Sequence, residues 1–287
     1  MRILVAGATG AVGRQLVPML VAAGHEVTGV SRTAGGTEWI RGTGAQAAVG
    51  DVFDRDGLRR IVSAAAPDAV MNQLTDLAGA DGAANDRLRE VGTRNLVDAA
   101  REAGAGRFVL QSLAFAYEPG EGPADESVPL DTGAAPPRGA TADAVRAMEE
   151  IAGEIGAAVS LRYGVFYGPG TWYALGGAVA AALAGDPGAP FLGSIAADRS
   201  VSSFVHVADA ASAAVEALGW PAGPVNVVDD EPAEGRDWVP VLAAALGVPA
   251  PEASDARTPW ARGASNRLAR SRGWRPQYPT WRTGFSS

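Results

Sequence analysis

The sequence predicts an α/β protein in which a doubly wound parallel sheet is followed by a smaller C-terminal lobe. Over residues 2 to about 112, short apolar runs alternate with longer helical patterns, which is typical of parallel strands joined by helices. After Gly164 the sequence becomes rich in glycine, proline and aromatic residues instead. We therefore divide the chain into a first domain over 1–165 and a smaller lobe over 166–287, which shares some elements with the first.

The predicted strands are short and apolar enough to be buried on both faces of a sheet. They cover residues 2–6, 26–30, 46–49, 69–71, 107–110 and 158–162, with further short strands at 201–205 and 224–228. Helical patterns cover residues 11–23, 54–65, 84–103, 140–155, 174–184, 207–218 and 236–246. Gly24 and Gly104 stand where helix C-terminal caps are expected, and Asp54 stands where an N-cap is expected. The stretches 118–138 and 249–260 are predicted to be long loops, which often form functional lids.

Composition and charge exclude several classes of protein. The 287 residues are 47% hydrophobic and 20% charged, and no apolar run approaches the roughly 20 residues that a membrane-spanning helix needs. The formal net charge of -8 disfavours extended contact with nucleic-acid backbones. Because an apolar strand pattern begins at Ile3 with no export signal before it, we expect a cytoplasmic protein.

Two residue types are missing from the whole sequence. All 24 basic residues are arginines, and the lack of lysine excludes Schiff-base nucleophiles, the P-loop lysine and a catalytic ammonium group. Cysteine is absent as well, which excludes thiol nucleophiles, disulfides and thiolate metal sites. The two histidines, His25 and His206, are too few for a multi-histidine centre, so no metal site is predicted.

A glycine-rich loop follows the first predicted strand. Gly7, Gly10 and Gly13 are spaced G-x-x-G-x-x-G directly before a helix. In this context Gly7 permits a tight turn, Gly10 lets the backbone approach a pyrophosphate, and Gly13 allows the helix to pack closely on the sheet. The motif predicts a dinucleotide site, and the alternative is a turn that serves helix packing alone. The predicted cofactor contacts in this loop are Gly7, Thr9, Gly10, Ala11 and Val12.

The ends of the second and third strands bear on the identity of the cofactor. A carboxylate after the second strand usually binds the ribose 2′-hydroxyl of NAD, whereas a 2′-phosphate favours hydroxyl groups and a guanidinium. Ser31 and Arg32 stand there and favour NADP over NAD; an exposed Arg without a ligand is the alternative. Asp51 and Val52 follow the third strand and are predicted to contact the cofactor, Asp51 at the adenine amino group. Asp51 could equally cap the helix that follows.

Further motifs are spread over most of the chain. They read GTRNL at 92–96, LRYGVFYGPG at 161–170, FVHVADAA at 204–211 and NVVDDEP at 226–232. Together with the glycine loop, they resemble the extended short-chain dehydrogenase/reductases of the NAD-dependent epimerase/dehydratase family. The resemblance implies a Rossmann-type domain, a C-terminal substrate lobe, and a nicotinamide near the loop after the sixth strand, where Tyr163 and Val165 would contact the cofactor.

The sequence departs from this family at the residues that carry its chemistry. Counting from Glu149, the family's Lys position falls on Val145 and its proton-donor Tyr position falls on Thr141. Counting from Tyr117, the family's Ser/Thr helper position falls on Leu113. In the usual mechanism, a neighbouring Lys ammonium group lowers the pKa of the Tyr phenol. Because both residues are replaced here, we do not expect that mechanism.

Two side chains near the vacated positions are candidate catalytic groups. Ser112 precedes the helper position and would hydrogen-bond a carbonyl. Tyr117, in the loop after the fifth strand, would donate a proton if it were acidified by the cofactor or by an Arg such as Arg138. The alternatives are a buried Ser that caps the loop and a packed aromatic side chain.

Other candidates lie at the fourth strand and at the start of the second lobe. Asn72, Gln73, Leu74 and Thr75 follow or end the fourth strand and are predicted to face the cofactor. Trp172 and Tyr173 could form an aromatic wall for an apolar or planar substrate, with packing inside the lobe as the alternative. His206 is expected in the core or an interface rather than in catalysis.

Three kinds of function are compatible with these features. The first is an NADP-dependent oxidoreductase that acts on a small, partly apolar metabolite with a non-standard proton donor, or on a group whose reduction needs little protonation. The second is a non-redox cyclase, epimerase or eliminating enzyme, and the third is a nucleotide-sensing binding protein. The expected partner is a small-molecule substrate, without nucleic acid or membrane, and a homodimer is one expected assembly.

Overall fold

Seven parallel strands form the central sheet of the structure, a computed structural model that describes residues 1–76, 81–189 and 195–285. The strands in chain order are β1 (Arg2–Ala6), β2 (Glu26–Ser31), β3 (Gln46–Val49), β4 (Ala69–Asn72), β5 (Arg107–Leu113), β6 (Ala158–Tyr163), β7 (Val165–Tyr167), β8 (Val201–Ser202), β9 (Phe204–His206), β10 (Gly223–Val227) and β11 (Ala233–Glu234). The sheet order is β10, β6, β5, β4, β1, β2, β3. This confirms the predicted α/β class with a doubly wound, Rossmann-type parallel sheet.

Helices connect the strands and cover both faces of the sheet. They are α1 (Ala11–Ala22), α2 (Ala34–Gly42), α3 (Arg55–Ala65), α4 (Gly82–Arg87), α5 (Thr93–Glu102), α6 (Arg138–Gly153), α7 (Ala178–Leu183), α8 (Val207–Glu216), α9 (Gly235–Leu246), α10 (Arg267–Ser271) and α11 (Trp281–Gly284). A π-helical turn, Leu88–Gly92, joins α4 to α5. Within the described residues, no helix is both long and apolar enough to cross a membrane.

Two apolar clusters fill the space between the sheet and its helices. On one face, α1 and α8 bury residues such as Leu16 and Ala210 against β1, β6 and β10. On the other face, α3, α5 and α6 bury residues such as Leu58, Leu96 and Val145 against β1, β4 and β5. The strands are therefore covered on both sides, which explains their nearly continuous apolar sequences.

A third apolar cluster belongs to the residues after β6. It joins α9 and α11 with aromatic side chains of β7 and β9, among them Tyr167 and Phe204. However, β10 pairs in parallel with β6, and α8 packs on α1. The C-terminal part of the chain thus returns to the main sheet.

The strand register brings the predicted cofactor residues to one edge of the sheet. Ala6 of β1 pairs with Val30 of β2 and with Asn72 of β4. Leu113 of β5 pairs with Tyr163 of β6. Because these strands are parallel, the loops that follow them open at the same edge, where ligands bind in open α/β sheets.

The structure adds or changes several local elements. Helix α2 was not predicted, and the predicted helix over 84–103 is divided by the π-helical turn. The predicted N-cap is confirmed, since Asp54 accepts a hydrogen bond from the Gly57 backbone N–H at 3.0 Å. Gly24 and Gly104 end their helices with positive φ angles of 80° and 76°. The stretches 118–137 and 249–260 contain no helix, as expected.

Candidate functional site

The glycine loop is shaped by close backbone contacts. Gly7 has a φ of +87°, and a Cβ there would lie 2.4 Å from the Gln73 carbonyl oxygen. A Cβ on Gly13 would lie 2.1 Å from the Gly7 carbonyl oxygen, whereas one on Gly10 would meet nothing closer than 3.4 Å. Gly10 is also the N-cap of α1 and provides no side-chain cap. The first N–H groups of α1, from Ala11 and Val12, therefore remain available to an anion such as a pyrophosphate.

The end of β2 carries a buried hydroxyl and an exposed guanidinium. Ser31 is buried, and its Oγ accepts a hydrogen bond from the Thr33 backbone N–H at 3.3 Å. Arg32 is exposed and forms no ion pair within the described residues. A second guanidinium lies near the start of α1, where Arg14 stacks on Trp39 of α2 at 4.7 Å. Two guanidinium groups thus lie near the end of β2 and the start of α1.

The loop after β3 is fixed by local hydrogen bonds. The Asp51 carboxylate accepts from the Phe53 backbone N–H at 2.9 Å, and Asp54 rather than Asp51 caps α3. Val52 is buried, and its carbonyl oxygen accepts from the Asn95 amide at 2.8 Å. Of the two roles that the sequence left open for Asp51, the structure therefore does not show the helix cap.

The end of β4 presents polar groups beside the glycine loop. Asn72 donates to the Thr93 hydroxyl at 3.2 Å and accepts from the Leu74 backbone N–H at 3.2 Å. Gln73 is buried, and its backbone N–H donates to the Ala6 carbonyl at 2.9 Å. The Gln73 side-chain Nε2 has no hydrogen-bond partner within the described residues. Thr75 is exposed at the same edge, next to residues 77–80, which lie outside the described part of the chain.

Tyr163 and Val165 lie at the end of β6 and in β7. The Tyr163 ring is almost fully buried, and its hydroxyl donates to the Ala210 carbonyl at 3.1 Å. Burial raises the pKa of this hydroxyl far above its usual range. Val165 is half-buried. A cofactor contact of Tyr163 would therefore involve its backbone, because the phenol ring points into the core.

Helix α6 carries the two positions at which the sequence predicts the family's catalytic pair to be replaced. Val145 is fully buried in the cluster between α6 and the sheet. Thr141 is half-buried, and its hydroxyl donates to the Asp86 carboxylate at 3.4 Å. Leu113 at the helper position is half-buried and lines a small cavity with Met148 of α6. None of these three side chains can serve as a proton donor at a working pH.

The structure does not support the proton-donor role predicted for Tyr117. The side chain is 1% exposed, and its hydroxyl donates to Asn226 Oδ1 at 2.6 Å and accepts from Arg162 Nη1 at 3.0 Å. Burial raises the pKa of Tyr117 to about 12, with Arg162 opposing that shift. Arg138 does not acidify the phenol, because it binds the Tyr117 carbonyl oxygen and Asp131 instead. The packed-aromatic alternative fits this geometry.

Ser112 belongs to the same buried network. Its side chain is fully buried, and its Oγ donates to Glu149 Oε1 at 2.6 Å. Glu149 in turn accepts two hydrogen bonds from Arg162. The hydroxyl that was predicted to bind a carbonyl group is therefore held by Glu149 of α6, and the catalytic role of Ser112 stays a prediction.

The aromatic residues at the start of the second lobe differ in position. Tyr173 packs edge-to-face on Phe204 at 5.8 Å and against Trp238 at 6.0 Å. Tyr173 therefore follows the lobe-packing alternative. Trp172 is half-buried at the margin of the same cluster, and its substrate role stays a prediction. His206 lies in the core, stacked on Tyr278 at 3.8 Å.

Sequence reasoning missed one charged residue at the site. Arg89 lies in the π-helical turn and lines the small cavity beside Leu113. The helical pattern over 84–103 concealed it, because a regular α-helix was expected there. Its position just before the GTRNL motif is the only signal in the sequence. Within the described residues, no cluster of three or more acidic or histidine side chains is placed to hold a metal ion.

Comparisons with known proteins agree with this architecture. A model of the NAD dependent epimerase/dehydratase family matches residues 3–228. A relative from a Streptomyces species, named 3-diazoavenalumate denitrifying reductase, is 42% identical over 311 aligned residues, which cover 99% of both chains.

Solved structures share the same fold. The UDP-glucose 4-epimerase of Thermus thermophilus, in complex with NAD, has a TM-score of 0.77 and 26% identity, over 100% of this chain and 97% of that one. The UDP-glucose 4-epimerase of Thermotoga maritima, with UDP-glucose, has a TM-score of 0.77 and 20% identity, over 100% and 96% of the chains. At 20% identity the second likeness concerns the fold alone.

Proposed function

This chain belongs to the NAD-dependent epimerase/dehydratase family, as its motifs predicted, and from that premise we propose that it is an NADPH-dependent reductase of aryl diazonium acids. Membership in the family makes it an NAD(P)-dependent enzyme. The proposal is supported by the side chains of α6: the family's Tyr and Lys are expected at Thr141 and Val145, and neither of these residues can give a proton to a substrate. A reduction that requires no proton from the protein suits this site.

A diazonium group meets that requirement. Hydride transfer to a ketone leaves an alkoxide that must take up a proton. An aryl diazonium ion is already a cation, so the hydride neutralises it: the hydride and its electron pair form the aryl C–H bond, and the carbon–nitrogen bond breaks with its electron pair leaving on dinitrogen. In balance, one aryl diazonium ion and one NADPH give one arene, one dinitrogen and one NADP⁺. Two electrons and one hydrogen are transferred, and no net proton is consumed.

The Streptomyces relative supports this substrate class. Its name combines a diazo group, an organic acid and a reductive loss of nitrogen. The 42% identity extends over nearly the whole of both chains, so the second lobe is included in the match. We therefore carry the class of substrate to this chain, although not the particular acid.

The proposed binding of NADPH is supported by the residues that follow β1 and β2. A bound NADPH would supply the hydride. Gly10 and the first turn of α1 would hold the pyrophosphate, because no side chain caps this helix and there is room at the Gly10 Cα. Arg32 would bind the 2′-phosphate, since it is exposed and has no acidic partner among the described side chains.

The test measures nicotinamide oxidation and nitrogen release together. The substrate is the diazonium ion of an aminated 4-hydroxycinnamate, with its diazo nitrogen isotopically labelled. We expect stoichiometric loss of NADPH absorbance, labelled dinitrogen in the headspace and the nitrogen-free acid by mass spectrometry. A preparation of Gly10→Val gives the background rate of the uncatalysed reaction. Oxidation of NADPH without nitrogen release, or nitrogen release without oxidation, would refute the proposal.

A further inference from the structure

A small cavity lies at the carboxyl ends of β4 and β5, below the vacated catalytic positions. Its volume is about 20 Å³, which is space for about one water-sized group and excludes an aromatic ring. Nine of its lining side chains are neutral and one is a cation: Asn72, Leu74, Thr75, Asn85, Leu88, Thr93, Gln111, Leu113, Met148 and Arg89. The cavity therefore combines a neutral wall with a single positive charge.

The Arg89 guanidinium at this cavity is mostly shielded from water. Its side chain is 16% exposed, and burial lowers the pKa of its guanidinium, with Asp86 opposing that shift. One nitrogen, Nη1, donates to the Asp86 carboxylate at 2.5 Å. Among the described residues this is its one ion pair, so other guanidinium N–H groups are left for a further acceptor.

The backbone at Arg89 is itself unusual. Leu88–Gly92 is a π-helical turn set between α4 and α5. Such turns are rare, and they occur frequently at functional sites. The turn places a charged residue beside Leu113, at the end of β5, where the family's helper residue would stand. This backbone feature is independent of the side-chain environment and points to the same position.

We propose that Arg89 binds the carboxylate of the substrate, so that the reductase selects aromatic acids by their anionic end. This inference rests on the proposed function for the aromatic part of the ligand. A carboxylate matches the fork of a guanidinium and accepts two parallel hydrogen bonds from it. The cavity excludes the aromatic ring, so the acid end would meet Arg89 at the cavity mouth while the ring stays outside.

Asp86 competes with a ligand carboxylate for the Arg89 guanidinium. It holds Arg89 when no substrate is present, and it accepts a hydrogen bond from Thr141 on the opposite helix. A ligand carboxylate would share the guanidinium with Asp86. Loss of the Asp86 charge would therefore strengthen acid binding, whereas loss of the Arg89 charge would abolish the preference for an acid.

The experiment compares an acid with its neutral isostere. Calorimetry with NADPH present gives the affinities of 4-hydroxycinnamate and 4-hydroxycinnamamide for each variant. We expect the wild type to prefer the acid by roughly 10- to 100-fold, as for a charge-assisted pair. Arg89→Met should bind both compounds equally, with NADPH affinity unchanged. Asp86→Asn should bind the acid more tightly than the wild type does.

Two further variants control for folding and for general charge. Arg87→Met removes an exposed guanidinium at the end of α4, two residues before Arg89, that stacks on Phe53 at 4.4 Å; this variant should keep the full preference. The double variant Asp86→Asn/Arg89→Met leaves no unpaired carboxylate beside the cavity and should still lack the preference.

Three outcomes would overturn the carboxylate-binding role of Arg89. Retention of the preference in Arg89→Met or in the double variant would overturn the inference. So would an equal loss of NADPH and acid affinity, since Arg89 would then hold the cofactor. Failure of the wild type to discriminate acid from amide would overturn it as well. If the diazonium ion is not reduced but the preference depends on Arg89, the proposed function fails and the carboxylate site stands.

Discussion

Arg162 donates hydrogen bonds to both carboxylate oxygens of Glu149, at 2.9 and 2.6 Å. The same guanidinium reaches the Tyr117 hydroxyl, and the same carboxylate accepts from Ser112. One buried ion pair between β6 and α6 thus fixes both side chains that the sequence suggested as catalytic groups. A fully satisfied buried network of this kind makes the local structure rigid.

Substitution of Tyr117 tests this view of the network. Tyr117→Phe removes one hydroxyl from a buried chain of hydrogen bonds, which should cost on the order of 1–3 kcal/mol in the free energy of unfolding. We expect kcat to stay within a few-fold of the wild type, because the phenol pKa of about 12 and its burial keep it out of proton transfer. Denaturant titration and steady-state kinetics measure the two quantities. A hundredfold loss of kcat with native stability would restore the donor role.

Removal of the Glu149 charge should destabilise the protein strongly. Glu149→Gln leaves the Arg162 guanidinium buried beside a neutral amide, and breaking a buried pair typically costs about 3 kcal/mol or more. The matched control is Glu150→Gln, one residue along α6, whose partner Arg146 is exposed. That pair is screened by water, so little change in unfolding free energy is expected. Equal effects of the two substitutions in urea titrations would contradict the importance of burial.

Two glycines of the nucleotide loop should respond differently to an added side chain. Gly10→Val places its branch where a pyrophosphate would approach, and the structure has room at that Cα, so cofactor affinity should fall steeply while circular dichroism stays native. Gly13→Ala brings a methyl group within 2.1 Å of the Gly7 carbonyl, so the protein itself should lose stability. Calorimetric titration and thermal melts separate the two. Native cofactor affinity in Gly10→Val would show that the loop is only a turn.

Arg32 should control the choice between the two nicotinamide cofactors. Arg32→Ala removes a charge-assisted pair with the 2′-phosphate, so NADPH affinity should drop by about 10-fold or more while NADH affinity stays the same. Arg41→Ala, at the exposed end of α2, serves as the control for a general change of charge. Equal wild-type affinities for NADPH and NADH would refute the assignment.

The stability of the protein should depend on pH through His206. Its Nδ1 accepts from the Ala208 backbone N–H at 3.2 Å, which requires the neutral ring, and burial lowers its pKa to about 4. In the unfolded chain this group titrates near 6.5, so the unfolded state binds the extra proton first. Stability is therefore full above about pH 6.5 and is lost as the pH falls toward 4. The loss from about pH 7 to 5 should be on the order of 2 kcal/mol.

His206→Asn isolates this contribution. An Asn side chain can still cap α8 but does not titrate, so the difference in unfolding free energy between wild type and variant should shrink as the pH falls from about 7 to 5. Asp209 and Asp229 lie nearby and titrate in both proteins, so they cancel in the comparison. Parallel pH profiles of the two proteins would show that His206 is not the responsible group.

Most of the sheet could be predicted from the sequence because its strands are buried on both faces and read as short apolar runs. Helix α2 escaped prediction because Gly35 and Gly36 suggest a loop. Its cap, a hydrogen bond from the Gly36 backbone N–H to the Thr33 hydroxyl, becomes evident only from the fold.

The tight turn of the glycine loop could be predicted from the sequence because the spacing of its glycines is local. The environment of Tyr117 could not be predicted in this way, because its partners, Arg162 and Asn226, lie 45 and 109 residues away. Proximity to the end of β5 does not reveal the direction in which a side chain points.

The position of β10 has a consequence for how the chain is made. Its residues, Gly223–Val227, complete the sheet by pairing with β6, which was synthesised long before them. A nascent chain that ends near residue 165 therefore exposes the hydrogen-bonding edge of β6, a surface that promotes aggregation. We therefore expect a fragment of residues 1–165 to aggregate. During synthesis, the seven-stranded sheet can be completed only after Val227 has been translated.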